Sequence, residues 1–293
     1  MTTRLKHYQS RIQMVLDHID VNLDGRLDLE TLSSVAAFSK FHFHRQFMAT
    51  VRLPLNRYVQ LARMKRASYK LAFRRNETVI EIAMDAGYGA PDAFARAFRQ
   101  RLGQRPSAFR KAPDWERWWI TFEPLHTARN RCMQTTYQSS DVTFRSVPST
   151  RVAIMQHQGS PSDVGATVQR FIAWRQSTGL IPPISPTFNI FHSDPRTTPP
   201  GEFRLDLCAG TDQPIEPNDV PIIDSNIPAG RCAVLKVVGS ADNLAQAALY
   251  LYREWLPGSG EEPRDFPLYC QRIKFFPDVP ESEAITELFL PLI

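Results

Sequence analysis

The sequence predicts an all-α N-terminal part built as a tandem helix-turn-helix, followed by an α+β C-terminal part with pseudo-twofold symmetry. Two observations lead to this fold class: a length of 293 residues, which exceeds one average domain, and two internal repeats of different period. The expected divisions are a first domain at 1–115, a linker at 116–140 and a second domain at 141–293.

The two expected domains carry opposite net charge. Residues 1–115 contain 20 Lys and Arg against 10 Asp and Glu, a net +10, and the rest of the chain contains 15 against 20, a net −5, which together give +5. A basic domain joined to an acidic one indicates contact with a polyanion rather than an evenly solvated surface.

Composition also limits the class of protein. The first residues have no apolar signal region and no stretch approaches the roughly 18 apolar residues of a membrane span, so a cytoplasmic, nucleoid-associated protein without a membrane partner is expected. The four cysteines stand far apart in no paired motif, so no disulfide framework, metal site or cofactor is expected.

The N-terminal repeat has a period of 51 residues. The pattern at 43–47, Phe-His-Arg-Gln-Phe, recurs at 94–98 as Phe-Ala-Arg-Ala-Phe, and another aromatic follows eleven residues later as Tyr58 and Phe109. Boundary signals make each copy a helix, a turn and a second helix: a capping box at Thr78–Glu81, a Ser39 cap, and Pro91 as a first helical residue.

The second helix of each copy is predicted to place an arginine outward. Phe43 and Phe47 lie about 40° apart on a helix and define the buried face, which leaves Arg45 about 180° away from their midpoint. Arg96 has the same placement in the second copy. One outward arginine is usually only solvated, but two at equivalent positions in a basic domain favour major-groove contact, where arginine recognises guanine.

Between the copies, a helix over about residues 54–72 is predicted from its apolar spacing, and it would span about 27 Å. Such a spacer suits two recognition helices placed about one DNA turn apart, roughly 34 Å. Lys65, on this helix, is expected to contact phosphate non-specifically or to have no role in binding DNA.

Two features imitate metal sites. Residues 20–28 resemble a calcium loop, but Thr31 stands where the last carboxylate is needed, so an inter-helix turn capped by Asp28 is the preferred interpretation. His42 and His44 diverge by about 200° on a helix and do not share an ion.

The run from Gly87-Tyr88 through residues 91–99 and 103–110 resembles the signature of AraC/XylS-type regulators, and the resemblance covers about residues 8–112. It implies that the outward side chains of the two second helices read DNA. The first unit departs from the pattern at Ala37 and Arg52, where the second unit has Gly87 and Gly103, positions that favour a left-handed backbone. The implied DNA-reading residues are Phe41, His42, His44, Arg45, Asp92, Ala93 and Arg96. Arg99, which lies near Arg96 on the outer face of its helix, is a further candidate.

A second repeat, with a period of 80 residues, fills the C-terminal part. The strand-like runs 152–160 and 232–240 both end in Gly-Ser, and each leads to a helical run ending in Trp174 or Trp255. A further strand follows each helix, at 203–208 and 285–290. This order predicts the pseudo-twofold α+β domain.

These segments, with Pro228-Ala229-Gly230 and the ending Thr286–Leu292, resemble the GyrI-like effector-binding domain over roughly residues 141–293. The resemblance implies a cleft that binds small, often aromatic or cationic, molecules. It places the acidic residue of the cleft at Glu287, with Trp174, Trp255 and Tyr269 as candidate walls. Core packing is the preferred interpretation for the tryptophans and applies equally to Tyr269, and an outward strand position is the competing interpretation for Glu287.

The resulting expectation is a non-enzymatic, sequence-specific transcription regulator controlled by a hydrophobic or cationic effector. Its expected partners are double-stranded DNA and the small-molecule effector, with RNA polymerase a further candidate. Two alternatives use the second domain differently: a small-molecule hydrolase with Glu287 as general acid or base, and a protein that inhibits an enzyme such as a topoisomerase.

Overall fold

The computed structural model describes residues 3–132, 136–215 and 220–293. The chain divides into two compact units: unit 1 is Met1–Thr135 with Pro280–Ser282, and unit 2 is Thr136–Val279 with Glu283–Ile293. Unit 1 therefore contains a tripeptide from much later in the sequence.

Unit 1 is helical, as the sequence predicts, and its two helix-turn-helix motifs are α2–α3 and α5–α6, on either side of α4. Its helices are α1 (Thr3–Val21), α2 (Leu29–Val35), α3 (Lys40–Val51), α4 (Leu55–Phe73), α5 (Val79–Asp85), α6 (Pro91–Leu102), α7 (Pro106–Lys111) and α8 (Trp115–Cys132). The predicted spacer helix is α4.

The predicted helix starts are confirmed by their hydrogen bonds. The Asp28 carboxylate accepts from the Thr31 backbone N–H at 2.8 Å, and the Ser39 hydroxyl accepts from that of His42 at 3.4 Å. Thr78 and Glu81 form the reciprocal capping box of α5. Each cap satisfies backbone donors that have no partner within the helix.

The two motifs have equivalent aromatic cores. The rings of Phe43 and Phe47 are 5.7 Å apart, and Tyr58 meets Phe47 edge-on at 6.0 Å. In the second copy, Phe94 and Phe98 are 5.5 Å apart, and Phe109 meets Phe98 edge-on at 5.3 Å. The 51-residue sequence repeat is thus a structural repeat.

The structure differs from the linker expected at 116–140. Residues 115–132 form α8, an integral helix of unit 1, with Trp118 only 2% exposed and its indole N–H donating to the Ser68 hydroxyl at 2.7 Å. The large apolar surface of Trp115 and Trp118 needs a packed environment, which extends unit 1 beyond residue 115.

Unit 2, in its described residues, contains an antiparallel eight-stranded sheet. The strands are β1 (Val142–Val147), β2 (Thr150–Gln158), β3 (Thr187–Phe191), β4 (Arg204–Gly210), β5 (Ile222–Ile227), β6 (Gly230–Val238), β7 (Tyr269–Lys274) and β8 (Ile285–Pro291). Their order across the sheet is β1-β6-β8-β7-β3-β4-β2-β5. Helix α9 (Val164–Thr178) follows β2, and α10 (Leu244–Tyr250) follows β6 and continues through a π-helical turn into α11 (Leu256–Ser259).

The predicted pseudo-twofold symmetry is visible in the strand register. Met155 of β2 faces Leu207 of β4, and the residue 80 positions after Met155, Leu235 of β6, faces Leu288 of β8. The strand that precedes each repeat pairs with the other repeat, since β1 pairs with β6 and β5 pairs with β2. The two halves are thereby joined into one sheet.

The sheet has two chemically different faces, because successive side chains of a strand point to opposite sides. One face packs against α9 and α10. We call the other the distal face; its buried cluster includes Phe188, Ile190, Cys208, Val234, Tyr269 and Phe289. Leu288 and Leu290 belong to the helix-packed core, so their neighbours Glu287 and Phe289 lie on the distal face.

Candidate DNA-binding and ligand sites

Helices α3 and α6 bury their phenylalanines and expose the side chains between them. Phe43, Phe47, Phe94 and Phe98 are at most 1% exposed, whereas Phe41 is 87% exposed. Of the other residues implied to read DNA, Ala93 is half-buried and the rest are exposed: His42, His44, Arg45, Asp92, Arg96 and Arg99.

Arg45 and Arg96 occupy equivalent positions on these helices, 51 residues apart. In the part of the chain that the structure describes, neither guanidinium makes a hydrogen bond or an ion pair. An exposed, uncommitted arginine on a convex helix face keeps all of its donors available for an anionic or base-edge partner.

Most cations of the spacer helix α4 are instead used within unit 1. Arg63 donates to the Leu23 and Gly25 carbonyls at 2.6 and 2.8 Å. Arg66 donates to the Asp85 carbonyl, and Lys70 bonds the carboxylates of Glu77 and Asp85 at 2.8 and 2.7 Å. These bonds hold α4 to the segments before α2 and around α5.

Of the two expectations for Lys65, phosphate contact or no role in binding DNA, its surroundings favour the second. Its side chain is 4% exposed and its ammonium bonds Glu281 Oε1 at 2.8 Å within unit 1. Arg129 of α8 joins the same cluster through Asp20 and, at 3.7 Å, through Glu281 Oε2. A buried charge needs a partner, and the helical periodicity that marks a polar position does not reveal one.

The segment that imitates a calcium loop is an inter-helix turn. Arg63 donates to two of its carbonyls, and Asp28 is committed to capping α2 and to an ion pair with Arg26 at 2.9 Å. Its bond from the Thr31 backbone N–H holds the Asp28 pKa below the ordinary value. Among the described residues, no group of three or more His, Cys, Asp or Glu side chains is arranged to hold a metal ion.

Glu287 lies on the distal face and forms a two-bond pair with Arg145 of β1. Arg145 Nη1 donates to Oε2 at 2.7 Å and Nη2 donates to Oε1 at 3.0 Å. The hydrogen bonds from Arg145 hold the pKa of Glu287 below its ordinary value. With its side chain 21% exposed, Glu287 is an ionised carboxylate that remains partly open to solvent.

Tyr269 and Phe289 form an aromatic pair on the same face. Their rings stack with centroids 4.8 Å apart and planes 5° from parallel, and both residues are buried. The Arg145 guanidinium carbon is 5.6 Å from the Phe289 ring centroid. A carboxylate beside stacked rings is suited to a flat or lipophilic cation.

The structure places the two candidate tryptophan walls elsewhere. Trp174 stacks on Phe171 at 6.0 Å in the core beneath α9, and Trp255 packs with Leu288 in the core beneath α10. Both indoles therefore lie on the helix-packed side of the sheet, whereas Glu287 and Tyr269 lie on the distal face. Burial of these large side chains joins the helices to the sheet.

Asp206 of β4 is the pseudo-symmetric counterpart of Glu287, because Gln156 faces Asp206 as Lys236 faces Glu287. Its side chain is only 3% exposed and pairs with His192 Nε2 at 2.7 Å and Arg204 at 3.4 Å. The two equivalent carboxylates therefore differ in access: one is enclosed and the other is reachable.

Two important residues escape sequence reasoning. Arg145 belongs to no recognisable sequence motif. It comes close to Glu287 because β1 pairs with β6, a strand of the second repeat. Glu281 is the first residue of a short 3₁₀ helix, and nothing in the sequence around it signals Lys65, 216 positions earlier. A search for charged residues at strand positions that share a face with Glu287 would find Arg145, once the strand order is known.

A basic unit with two helix-turn-helix motifs, joined to a pseudo-symmetric α+β unit, defines a DNA-binding transcription regulator with a small-molecule binding domain. The chain belongs to the GyrI-like family, since the model of the GyrI-like small molecule binding domain matches residues 140–293. A helix-turn-helix domain model matches residues 32–112. Both resemblances found in the sequence, AraC-type and GyrI-like, are confirmed.

Each unit has its own relatives. Probable transcriptional regulator YgiV of Escherichia coli (strain K12) is 35% identical over 153 residues, 52% of this chain and 96% of YgiV. Regulatory protein SoxS of Salmonella typhimurium is 28% identical over 103 residues, 35% of this chain and 95% of SoxS. The crystal structure of the EcmrR C-terminal domain is 19% identical with a TM-score of 0.42, covering 52% of this chain and 96% of that domain. Across the described ranges, no helix is long and apolar enough to cross a membrane.

Proposed function

We propose that this regulator reads its DNA site with the outward faces of α3 and α6 and responds to a hydrophobic cation held by Glu287. The main support for the DNA part is that Arg45 and Arg96 are exposed, uncommitted and equivalently placed in the basic unit. The main support for the ligand part is the partly open Glu287 carboxylate beside the stacked rings of Tyr269 and Phe289.

The DNA part is tested on the full chain with a site selected from genomic fragments. Arg96→Ala is expected to weaken binding to that site by about 1–3 kcal/mol and to relax base preference at one position. Arg196→Ala is the control, because Arg196 is an exposed arginine of unit 2 paired with Asp194. An equal loss on random DNA would show that Arg96 contacts only phosphate.

The ligand part is tested by calorimetry with 4-aminobenzamidine, an aromatic amidinium, and its neutral analogue 4-aminobenzamide. Glu287→Gln keeps the shape and removes the charge, so it is expected to weaken amidinium binding about tenfold and leave the amide unaffected. Unchanged amidinium affinity would exclude Glu287 as the counter-charge.

Transcription in vitro, with and without ligand, tests whether RNA polymerase is a partner.

The hydrolase alternative requires Glu287 to exchange a proton. Arg145 holds its pKa below the ordinary value, which favours the ionised form and makes the group a poor proton donor near neutral pH. A fixed carboxylate of this kind suits electrostatic recognition of a cation better than general acid catalysis. Turnover of an aryl ester by the full chain, lost in Glu287→Gln, would favour the enzyme instead.

A further inference from the structure

Arg145 makes with Glu287 the contacts that a planar cationic ligand would make. Its guanidinium forms two parallel hydrogen bonds with the two carboxylate oxygens, at 2.7 and 3.0 Å. The same group lies 5.6 Å from the centroid of Phe289, whose ring stacks on Tyr269. Charge, fork geometry and aromatic contact are therefore all supplied by one side chain of the protein itself.

The strand register shows that Arg145 must reach along the sheet to do this. On β6, Arg145 faces Cys232 whereas Glu287 faces Lys236, four positions further along the strand (236 − 232). Lys236 is thus the cation directly opposite Glu287. The two-bond pair nevertheless forms with Arg145, whose side chain crosses β6 diagonally over the distal face.

The position of Arg145 also allows its guanidinium to separate from the Glu287 carboxylate. Among the described strands, β1 is at the end of the sheet and pairs with β6 alone, and the Arg145 side chain is 45% exposed. Water competes for the guanidinium of an ion pair this exposed, so the pair can open. Water can hydrate the released guanidinium when another cation replaces it at Glu287.

We infer that Arg145 is an internal substitute for the ligand cation, which occupies Glu287 in the free protein and is displaced when the effector binds. This inference rests on the proposed role of Glu287. Arg145 then sets specificity in two ways: it lowers the affinity for every cation, and it excludes those that cannot replace both of its hydrogen bonds. Favoured ligands are aromatic amidinium or guanidinium ions, ahead of quaternary ammonium ions, which carry charge but no N–H donors.

The test measures 4-aminobenzamidine binding to the full-length parent, Arg145→Gln, Glu287→Gln and Arg151→Gln by calorimetry. Arg151 is the matched control, because it forms a comparable two-bond pair with Asp224 in the other half of the sheet, with its side chain 37% exposed. Arg145→Gln is expected to bind the amidinium about tenfold more tightly than the parent. Arg151→Gln should bind like the parent, and Glu287→Gln should bind more weakly.

A second arm uses phenyltrimethylammonium, an aromatic cation without N–H donors. Arg145→Gln is expected to improve its binding by a larger factor than that of the amidinium, because this probe cannot replace the two hydrogen bonds in the parent. If Glu287→Gln loses amidinium binding but Arg145→Gln binds no more tightly than the parent, the proposed cation site stands and the displacement inference is wrong. If neither the parent nor any variant binds either probe, the proposed cation site and the displacement inference are both wrong.

Discussion

Glu287 and Arg145 form a pair whose contribution to stability depends on pH in a defined direction. The folded pKa of Glu287 is lowered by Arg145, so the stabilisation is present above the unfolded pKa of the carboxyl and is lost as pH falls through the folded value. In Arg145→Gln, desolvation remains without the guanidinium, and we expect the Glu287 pKa to rise. Carboxyl ¹³C NMR titration of the two proteins measures both values; equal pKa values would contradict the assigned cause.

The pKa of Asp20 is shifted in the opposite direction to that of Glu287. Burial raises its pKa to about 6, against the attraction of Arg129. The folded state therefore holds this proton more tightly than the unfolded chain, and stability is expected to fall as pH rises from about 4 to about 6 and then to level off.

Replacing Asp20 with Asn removes this titration. Over the same window the parent should lose on the order of 1–3 kcal/mol more stability than Asp20→Asn, as measured by urea unfolding with tryptophan fluorescence. Groups that do not interact with Asp20 cancel in the difference, whereas Asp17 and Glu281, which help to raise the pKa of Asp20, respond to the substitution as part of the same cluster. Parallel pH profiles for the two proteins would show that Asp20 does not titrate in this range.

At the scale of elements, two turns in the first helix-turn-helix motif carry a backbone conformation that suits glycine. Ala37 has φ 49° and Arg52 has φ 58°, at the positions where the second motif has Gly87 and Gly103. The departure from the AraC pattern noted in the sequence therefore changes the residues, while the left-handed backbone is kept at both positions. A side chain in this region costs roughly 1–2 kcal/mol.

Ala37→Gly is accordingly expected to stabilise the protein by about 0.5–1 kcal/mol, since relief of the left-handed backbone exceeds the added freedom of the unfolded chain. Gly103→Ala is the reciprocal change and should destabilise, because Gly103 has φ 73° and a Cβ is strained in this left-handed conformation. Urea midpoints of both variants check the pair. A lower urea midpoint for Ala37→Gly than for the parent would show that the backbone at Ala37 is not strained.

Elements with local signals were predictable from sequence, and contacts between distant strands were not. The caps of Ser39, Asp28 and Thr78 follow from hydrogen bonds that reach only three residues ahead. Strand β1 precedes the first repeat but pairs with the second, and this pairing depends on the whole sheet. The sequence alone therefore could not place Arg145 beside Glu287. The role of the tryptophans stayed open in the sequence, with core packing preferred, because an indole is suited both to a ligand wall and to a core.

At the scale of the molecule, charge is divided between the parts that have different partners. The first 115 residues carry a net +10 and the remainder −5. Full-length protein should therefore bind duplex DNA with a log–log salt slope of several units, about 0.9 per phosphate neutralised. Fluorescence anisotropy between 50 and 300 mM salt, as chosen working conditions, measures the slope. A slope near zero would contradict phosphate contact.

The tripeptide Pro280–Ser282 of unit 1 imposes an order on biosynthesis. Lys65 leaves the ribosome 216 residues before Glu281, its buried ion-pair partner. At roughly 5–20 residues per second, the delay is about 10–45 s. During that time the helices of unit 1 are complete in sequence, but the ammonium of Lys65 has no Glu281 to pair with. A nascent chain therefore reaches the finished arrangement of its first unit only after most of its second unit has been translated.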